Sequence, residues 1–579
     1  MLETVFVRFR LVLIGLAILA GLIVVQLLRI EFDRSTAAQL KDLEYTLSRY
    51  PVEFDPDRGR IFDRNGQPLA TNDVEYEVGI SPSYVVDPES VAAELSLLLD
   101  VPLTDTVSAA KSKAPYALVA RPVSAKVGET IRQLQDTFAA TGKGPDLRGV
   151  ELAPIQHRFY PNGPLGAQVL GFVAYNQEGK QVGYFGIEGF YNDLLSGRPV
   201  KGFEEVVPLK AQLDPTPEQG ADLYLTLDRD VQYLVEVTMA DAIARYGAQG
   251  GTIVIMDPKT GAILGMSSWP TYDPNNYVKY PPTDPANPAV SGQYEPGSTF
   301  KILTMAAALD SGLVTPDSTF NDTGYIEVGG MPIYNWDRGA WGLQDMTGCL
   351  RHSLNVCMAS LSTRMGPTTF YNYLTAFGLG RLTNVDLAAE VAGHLKQPGT
   401  PDWFDADLGA NAFGQGVAVT PLQLVTAVSA VANGGVMMQP HVLQRVERDG
   451  NVHVISPQII GRPIKPQTAA TLNEMLAVSM ATGEADQALV PGYRLAGKTG
   501  TAEIPMAGGY EANTSIASFI GWGPVDDPRF VALVILDRPA TSIWGSETAA
   551  PVFSEMVKRL VVLLNIPPDD TRHALAQGQ

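Results

Sequence analysis

The sequence predicts an α+β protein that is attached to a membrane by one N-terminal helix. Residues 11–28 form an apolar run of spanning length. From Pro51 the chain breaks into short alternating segments separated by Gly, Pro and Asn, which is typical of a β-rich domain. From about residue 221, strand patterns enclose long helical patterns between 297 and 480, and strands return over 515–536. This order indicates an antiparallel sheet flanked by helices, with an inserted helical subdomain.

Length and composition limit the class of protein. The chain has 579 residues, which is too long for a single compact core. Typical domain sizes predict about two to four domains. Hydrophobic residues make up 45% and charged residues 18%, which is a globular composition. The formal net charge of -20 argues against a nucleic-acid partner, because phosphate would be repelled.

The N-terminal apolar run has Gln26 as its one polar side chain. Eighteen helical residues rise about 27 Å, close to the hydrocarbon thickness of a bilayer. The run is longer than the apolar part of a usual signal peptide and no clear cleavage site follows, so an uncleaved anchor is favoured. Arginines stand on both sides, Arg8 and Arg10 before the run and Arg29 and Arg34 after it, so charge does not set the orientation. We expect a short cytoplasmic N-terminus, with the chain after about residue 30 outside the cytoplasmic membrane.

These patterns divide the chain into six predicted segments. They are a cytoplasmic tail over 1–10, a transmembrane helix over 11–30, a helical stalk over 31–50, a β-rich domain over 51–218, an α+β domain over 221–565 and a polar C-terminal tail over 566–579.

The chain has two cysteines, which excludes a disulfide framework and a Cys-rich zinc site. Cys349 and Cys357 are expected on one helix, where their spacing corresponds to about 12 Å, too far for a bridge. We therefore predict two small core residues. The sequence also has no HExxH, GxSxG or GxxxxGK[ST] pattern, which argues against a zinc protease, an α/β-hydrolase and a P-loop protein.

The strongest local signal runs from Glu295 to Lys301. Pro296 and Gly297 end a loop, and apolar residues then recur as in a buried helix. Ser298 is expected in the first turn of that helix, with Lys301 on the same face and within contact of it. A helix N-terminus stabilises a developing alkoxide, and a buried lysine with a lowered pKa acts as a base that activates serine. Ser298 is thus the predicted nucleophile and Lys301 its predicted base.

Two further patterns supply groups for binding and proton transfer. Ser353-Leu354-Asn355 lies where one helix is expected to give way to the next, and it offers a hydroxyl that relays a proton and an amide that binds a peptide. Lys498-Thr499-Gly500-Thr501 precedes β structure. On an edge strand, its lysine and two hydroxyls would hold a carboxylate, and its glycine would allow a peptide backbone to approach closely.

Each pattern is weak when it stands alone. Ser108-Ala109-Ala110-Lys111 matches the first pattern, but no Pro-Gly entry precedes it, and we interpret it as the face of a surface helix. Lys259-Thr260-Gly261 matches the third in a predicted turn, where lysine and glycine are ordinary turn residues. A lone Ser-x-Asn is more often a helix cap. The order of all three patterns selects Ser298.

In that order and at similar intervals, the three patterns resemble those of the serine penicillin-recognising enzymes. Further segments resemble the class B penicillin-binding proteins, so that the likeness covers most of residues 55–560. The segments are Met256–Gly261, Ser268–Pro270, Ala412–Gly416, Thr420–Gln423 and Ala432–Gly435 in the transpeptidase domain, and Arg58–Gly66, Arg158–Pro161 and Gly186–Gly189 in the pedestal, or dimerisation, domain.

The resemblance implies a monofunctional, bitopic peptidoglycan D,D-transpeptidase, of either the elongation or the division type. Ser298 would attack the D-Ala-D-Ala carbonyl of a stem peptide and release the terminal D-Ala. Lys301 would be the base, Ser353 would help to move the proton, and Asn355 would orient the substrate amide. The acyl group would then pass to an amine of a neighbouring stem peptide.

The resemblance also implies how the substrate is bound. Lys498, Thr499 and Thr501, with Gly500 between them, would bind the terminal carboxylate. The backbone N–H groups of Ser298 and Thr501 would form the oxyanion hole. No metal or organic cofactor is expected. The implied partners are peptidoglycan stem peptides, β-lactams that acylate the same serine, the cytoplasmic membrane and a SEDS-family glycosyltransferase.

Other functions share part of this sequence pattern. A D,D-carboxypeptidase stays open, because hydrolysis and transfer differ only in the acceptor. A serine β-lactamase would not need a long pedestal, and no Glu-x-x-Leu-Asn segment is present; a bifunctional class A protein would carry a Glu-Asp-x-x-Phe signature, which is absent. Of the non-enzymes, a β-lactam sensor would usually have more membrane segments or a cytoplasmic output domain. A scaffold without activity would have lost Ser298 or Lys301.

Overall fold

The computed structural model describes the backbone of residues 2–32, 49–54, 56–205 and 218–577, and it divides into two compact units. The first unit comprises the described residues before Arg58 together with those between Gly197 and Gly220. It contains the helix Leu2–Phe32 and an antiparallel pair of strands, Arg49–Phe54 with Val200–Glu205. The second unit holds residues 58–196 and 221 onward.

The N-terminal helix contains one segment, Val7–Arg29, that is long and apolar enough to cross a membrane, with a mean hydropathy of 2.9. None of that segment is buried against the protein. The predicted membrane helix over 11–30 falls within the observed helix. The predicted helical stalk over 31–50 lies outside the described residues except at its two ends, of which 31–32 belong to the N-terminal helix and 49–50, against the prediction, to a strand.

A five-stranded antiparallel sheet forms the centre of the second unit. Its strands in spatial order are Ile263–Trp269, Gly250–Met256, Phe530–Asp537, Ile516–Gly523 and Ala496–Ala502. Helices Arg229–Tyr246 and Ala549–Leu563 pack on one face, in one core cluster with Ile253 and Ile255. The other face, which includes Val254, packs in a second cluster. Because both faces are covered, the inner strand Phe530–Asp537 is apolar along nearly its whole length, whereas the edge strand Ala496–Ala502 carries Lys498, Thr499 and Thr501.

Helices Pro421–Ala432 and Pro466–Thr482 pack against the second face of the central sheet. The helices around them are Lys301–Asp310, Met346–Arg351, Asn355–Met365, Pro367–Ala376 and Asp405–Ala410. Two small antiparallel strand pairs stand beside them, the hairpin Tyr325–Val328 with Met331–Tyr334 and the flanking strands Thr319–Asp322 with Gly342–Asp345. Together these elements form the predicted helical subdomain.

A seven-stranded sheet joins the β-rich region to the C-terminal region. Its strands in spatial order are Asn451–Val454, Leu443–Arg448, Asp222–Leu225, Ile61–Phe62, Pro68–Ile80 and Ala117–Val123, with Val150–Phe159 also paired to Pro68–Ile80. Ile61 pairs with Leu223 in parallel, and Leu223 pairs with Val446 on its other side. The sheet therefore crosses the predicted boundary between 218 and 221, and the domain limits remain predictions.

The helical insertion of the β-rich region is formed by Pro88–Leu99, Leu103–Ala110 and Ala125–Thr141. Shorter helices follow at Ala167–Leu170, Gly186–Phe190 and Asn192–Ser196, with a hairpin of Phe172–Tyr175 and Gln181–Tyr184. The segment predicted as a polar tail contains the helix Asp569–Gln577, in which Arg572 pairs with Asp526.

Three segments that carry the pedestal resemblance meet at one buried carboxylate. Glu188 is fully buried and accepts hydrogen bonds from Arg58 at 2.8 Å and from Arg158 at 2.7 Å. Burial alone would raise the pKa of Glu188, but the two guanidinium groups outweigh it and lower the pKa below its ordinary value. The charge of Glu188 thus ties three distant parts of the sequence together.

The prediction for the cysteines was wrong in one respect. Cys349 and Cys357 are fully buried, as expected, but they form a disulfide with their Cα atoms 6.1 Å apart. They do not share a helix, because Met346–Arg351 ends before the turn at Ser353 and a new helix begins at Asn355. The change of direction brings the two sulfur atoms together.

Candidate active site

Ser298 lies in a single 3-10 turn, Gly297–Phe300, that leads directly into the helix Lys301–Asp310. Gly297 has a φ of +57°, and a Cβ atom there would stand 3.1 Å from the Cβ of Ala502. Glycine is therefore required both by the left-handed backbone and by the contact with the neighbouring strand. The Ser298 side chain is half-buried at the wall of a cavity.

Lys301 is buried behind this turn, with none of its side chain exposed. Its Nζ lies within hydrogen-bond distance of three oxygens, the carbonyl oxygen of Ser353 at 2.5 Å, Ser353 Oγ at 3.1 Å and Asn355 Oδ1 at 2.7 Å. Burial, followed by the charge of Lys498, holds the pKa of Lys301 well below its ordinary value, while Glu484 acts in the opposite direction. The lysine is thereby favoured in its neutral form.

Ser353 and Asn355 lie at the turn between two helices, as predicted from the sequence. Ser353 has a φ of +52°, which is the left-handed region, and only 4% of it is exposed. Asn355 begins the following helix and donates from Nδ2 to the carbonyl oxygen of Tyr334 at 3.0 Å. Two hydrogen bonds thus orient the Asn355 amide: its Nδ2 donates to Tyr334, and its Oδ1 accepts from Lys301.

Lys498 lies on Ala496–Ala502, the edge strand of the central sheet, opposite Ile520. Its Nζ donates to Thr499 Oγ1 at 3.1 Å. Burial lowers the pKa of Lys498 to about 8, and Glu484 opposes this shift. Thr501 Oγ1 accepts a hydrogen bond from the backbone N–H of Gly545 at 3.1 Å.

Gly500 has a packing role that the sequence did not indicate. A Cβ atom at Gly500 would stand 2.3 Å from Ser518 Oγ and 2.9 Å from Thr299 Cγ2. The absent side chain therefore lets the strand pack against the turn that carries Ser298. Whether Gly500 also gives room to a substrate backbone stays a prediction.

The cavity has a volume of about 200 Å³ and collects five of the eight predicted site residues, which are Ser298, Ser353, Asn355, Thr499 and Thr501. Lys301 and Lys498 lie behind its wall, linked through Ser353, Asn355 and Thr499. The other lining residues are Gly297, Trp336, Phe413, Gln415, Glu484, Ala502, Trp544, Ser546 and Glu547. Three separate parts of the sequence thus meet at one site.

Sequence reasoning missed the aromatic part of this cavity. Trp336 and Trp544 meet edge to face, with ring centroids 5.4 Å apart, although they come from distant parts of the chain. Trp336 also donates from Nε1 to the carbonyl oxygen of His352 at 3.2 Å. The chain has six tryptophans, and nothing in the sequence indicates which of them lie at the cavity. Their position there is visible only in the folded structure.

The segment Ala412–Gly416 supports the nucleophile turn from behind. Gly297 N donates to the carbonyl oxygen of Gly414 at 3.2 Å, and Thr304 Oγ1 donates to that of Ala412 at 2.7 Å. Gly414 has a φ of +84°, and a Cβ atom there would stand 2.3 Å from the carbonyl oxygen of Gly297. This close approach explains the glycine in a segment that the sequence had singled out.

The two decoy patterns lie away from the cavity. Ser108 is on the helix Leu103–Ala110, and the following Lys111 forms an exposed ion pair with Glu89. Lys259 is in an exposed turn, where it pairs with Asp527. Over the described part of the chain, no group of three or more His, Cys, Asp or Glu side chains is arranged to hold a metal ion.

Two family models match the chain. That of the penicillin binding protein transpeptidase domain covers residues 251–558, and that of the penicillin-binding protein dimerisation domain covers residues 53–225. The first includes all eight predicted site residues, and the second includes the buried Arg58, Arg158 and Glu188.

Named relatives and solved structures agree with these matches. Stage V sporulation protein D of Bacillus subtilis is 35% identical over 533 residues, which is 89% of this chain and 80% of the relative. Peptidoglycan D,D-transpeptidase FtsI of Escherichia coli K12 is 29% identical over 527 residues, 88% of this chain and 84% of the relative. The structure of penicillin binding protein 3 from Mycobacterium tuberculosis, complexed with aztreonam, superposes with a TM-score of 0.69 at 27% identity, covering 89% of this chain and 98% of that one.

Proposed function

Because the chain belongs to the class B penicillin-binding proteins, with their dimerisation and transpeptidase domains, we propose that it is a peptidoglycan D,D-transpeptidase that forms an acyl-enzyme at Ser298. The observation that carries the proposal is the set of hydrogen bonds from Lys301 to Ser353 and Asn355, beside a cavity that Ser298 also lines. A nucleophile, a buried amine and a second hydroxyl are the groups that acyl transfer requires.

The environment of Lys301 suits a general base. In its neutral form the amine has two N–H bonds and one lone pair. The carbonyl oxygen of Ser353 and Oδ1 of Asn355 only accept hydrogen bonds, so they take the two N–H groups. The lone pair is then left for a hydroxyl proton, that of Ser353 at 3.1 Å in the resting site and, in the proposed reaction, that of Ser298.

In the acylation step, Ser298 Oγ attacks the carbonyl carbon between the two D-Ala residues, and its proton passes to Lys301. The negative charge on the carbonyl oxygen is stabilised by the backbone N–H groups of Ser298 and Thr501. Collapse of the tetrahedral intermediate breaks the peptide bond. The leaving amine of D-Ala receives the proton by way of Ser353, which the contact with Lys301 Nζ supports.

Substrate binding is assigned to the opposite wall of the cavity. Lys498, Thr499 and Thr501 bind the terminal carboxylate of the donor peptide, because they combine a cation with two hydroxyl donors on one strand. Asn355 holds the substrate amide. In the second step, an amine of a neighbouring stem peptide attacks the ester, loses a proton and releases Ser298. A β-lactam reacts in the same way as the donor peptide in the first step: Ser298 Oγ attacks the carbonyl of its ring amide, the ring opens, and the opened β-lactam stays bound to Ser298 as an ester.

The anchor and the partners complete the proposal. The apolar helix would hold the protein in the cytoplasmic membrane by residues 11–30, with residues 1–10 in the cytoplasm. The pedestal over 51–218 and the transpeptidase domain over 221–565 would lie outside. A SEDS-family glycosyltransferase would be the membrane partner that supplies glycan chains.

The nucleophile is tested with a fluorescent penicillin on the full-length protein in detergent. Ser298→Ala should abolish covalent labelling, whereas Ser108→Ala, in the decoy pattern, should label like the unaltered protein. Labelling of Ser298→Ala at the normal rate would remove Ser298 as the nucleophile.

The reaction is tested with a D-Ala-D-Ala stem peptide as donor, with and without an amine acceptor. Formation of a cross-linked product that depends on the acceptor supports transpeptidation. Release of D-Ala at the same rate, without transfer, would identify a carboxypeptidase.

A further inference from the structure

The two cysteines of the chain stand on either side of the Ser353–Asn355 turn. Cys349 lies four residues before Ser353, and Cys357 four residues after it. Their disulfide joins the last helix before the turn to the first helix after it. The turn that supplies both partners of Lys301 is therefore the loop that this disulfide closes.

The turn has a backbone conformation that is costly for its residue type. Ser353 has a φ of +52°, in the left-handed region that residues with a Cβ atom rarely adopt. Two hydrogen bonds hold it, from Ser353 N to the carbonyl oxygen of Leu350 at 3.2 Å and from Leu354 N to that of Cys349 at 3.0 Å. A residue in such a conformation persists only when its surroundings impose it.

The orientation of the catalytic groups depends on that turn. The carbonyl and the hydroxyl oxygen of Ser353 both contact Lys301 Nζ, and so does Oδ1 of Asn355 two residues later. A rotation of the turn would displace all three oxygens at once. A misplacement of about 1 Å in a catalytic constellation costs about 100-fold in rate.

We propose that the Cys349–Cys357 disulfide is a positioning element, which keeps the Ser353–Asn355 turn in the geometry that Lys301 requires. The inference rests on the proposed function, since it concerns the same site. Neither cysteine lines the cavity, so both act through the turn between them. By closing this short loop, the disulfide restricts the alternative conformations open to the turn.

The disulfide must first be present in the protein. Full-length protein made with its C-terminal part in an oxidising compartment is denatured, and its free thiols are counted with a thiol reagent. The expected count of free thiols is zero before reduction and two after reduction with dithiothreitol. In that reaction the protein disulfide is reduced to two thiols and dithiothreitol is oxidised to its cyclic disulfide. Because the chain has only these two cysteines, a count of two before reduction would overturn the inference.

The positioning role is tested by three variants, Cys349→Ala, Cys357→Ala and the double variant. Acylation by a fluorescent penicillin is followed over a range of concentrations, which separates the dissociation constant from the first-order acylation rate. We expect each single variant to lower the acylation rate by about tenfold or more, and the double variant to lower it no further, because either substitution removes the same bond. The dissociation constant should change less than the acylation rate, because Lys498, Thr499 and Thr501 on the strand bind the carboxylate and only Asn355 of the binding groups belongs to the turn.

A role limited to stability predicts a different result. The acylation rate of the folded fraction and its pH dependence would then be unaltered, and only the melting temperature would fall. Positioning predicts in addition that water reaches Lys301 in the variants, so that its pKa rises and the acidic limb of the acylation profile moves to higher pH. Unchanged rates and an unchanged pH profile in folded variants would overturn the inference.

Failure of the inference and failure of the proposed function can be told apart. If the unaltered protein is not labelled at Ser298, the proposed function fails. If it is labelled and the cysteine variants match it in acylation rate, only the role of the disulfide fails. A double variant with serines, Cys349→Ser with Cys357→Ser, checks that lost side-chain volume is not the cause.

Discussion

Lys301 Nζ lies 2.5 Å from the carbonyl oxygen of Ser353, so that a buried amine is held by the backbone of a turn more than fifty residues away in the sequence. The bond depends on the backbone of residue 353 and not on its side chain. Substitution of Ser353 by alanine is therefore expected to remove the hydroxyl without releasing Lys301. The turn and the hydroxyl are separable parts of the site.

Replacement of Lys301 should remove the base and leave binding largely intact. Lys301→Met keeps much of the buried volume, and we expect the acylation rate with a fluorescent penicillin to fall by about 100- to 10,000-fold, the range for general base catalysis. In the unaltered protein the rate should rise as the pH rises through the pKa of Lys301, because the neutral amine is the base. Lys111→Met, in the decoy pattern, is the control and should change neither the acylation rate nor its pH dependence.

Glu484 should shift the pH range of the reaction, although burial has the larger effect on both lysines. It lines the cavity and makes no hydrogen bond or ion pair with any described residue, yet its charge raises the pKa of both Lys301 and Lys498. Glu484→Gln removes that charge, so both lysines lose their protons more readily. The acylation rate is then measured across the pH range. Both the acidic limb of the profile, which follows Lys301, and the basic limb, which follows Lys498, are expected to move to lower pH.

The control for this experiment is Glu547, which lines the same cavity. It is not among the charges that shift the pKa of either lysine. Glu547→Gln should therefore leave the pH profile in place. An equal displacement in both variants would mean that the general charge of the cavity, and not Glu484, sets the profile.

Gly500 should not tolerate a side chain. In Gly500→Ala the new Cβ atom meets Ser518 Oγ and Thr299 Cγ2, and such overpacking costs about 1–3 kcal/mol. We expect a lower melting temperature and slower acylation, because the strand is pushed away from the nucleophile turn. Ser518→Ala, combined with it, removes the nearer of the two contacts and should restore part of both losses. No change in Gly500→Ala would show that the strand moves freely.

Glu188 should be essential for the stability of the pedestal. Glu188→Ala leaves Arg58 and Arg158 buried without their counter-charge, and the loss of one partner of a buried pair costs about 3–5 kcal/mol. The pKa of Glu188 is lowered in the folded state, so its contribution is full above the ordinary carboxylate pKa and is lost as the pH falls through the folded value. Denaturant unfolding at two pH values measures both effects.

An exposed pair gives the matched comparison. Lys111 and Glu89 form an ion pair at the surface, where such pairs are worth about 0–1 kcal/mol. Lys111→Ala should therefore leave the unfolding midpoint nearly unchanged. If both variants lost the same stability, burial would not be the reason for the importance of Glu188.

The sequence was sufficient to predict the site where local patterns determine local structure. Pro296 and Gly297 before an apolar helix placed Ser298 at a helix entry, and the structure differs only in making that entry a 3-10 turn. The three inner strands of the central sheet, Gly250–Met256, Ile516–Gly523 and Phe530–Asp537, could be predicted from their largely apolar sequences. Because a strand that is apolar on both faces must be buried on both, helices could be expected on each side of the sheet.

The rest could not be predicted, because it depends on contacts between distant segments. The spacing of Cys349 and Cys357 was converted into a distance on the assumption of one continuous helix, and the left-handed Ser353 breaks that helix. Trp336 and Trp544 carry no mutual signal in the sequence. Their meeting at the cavity follows from the fold as a whole.

The seven-stranded sheet limits how this protein can be recombined with its relatives. Ile61–Phe62 is held between Pro68–Ile80 on one side and Asp222–Leu225 on the other. A chimaera joined near residue 220 would thus pair strands of two parents within one sheet, and any mismatch would fall in the middle of a hydrogen-bonded ladder. A junction that keeps Asp222–Leu225 and Leu443–Arg448 from the same parent as residues 58–80 avoids this, so the exchangeable unit of the pedestal is discontinuous in the gene.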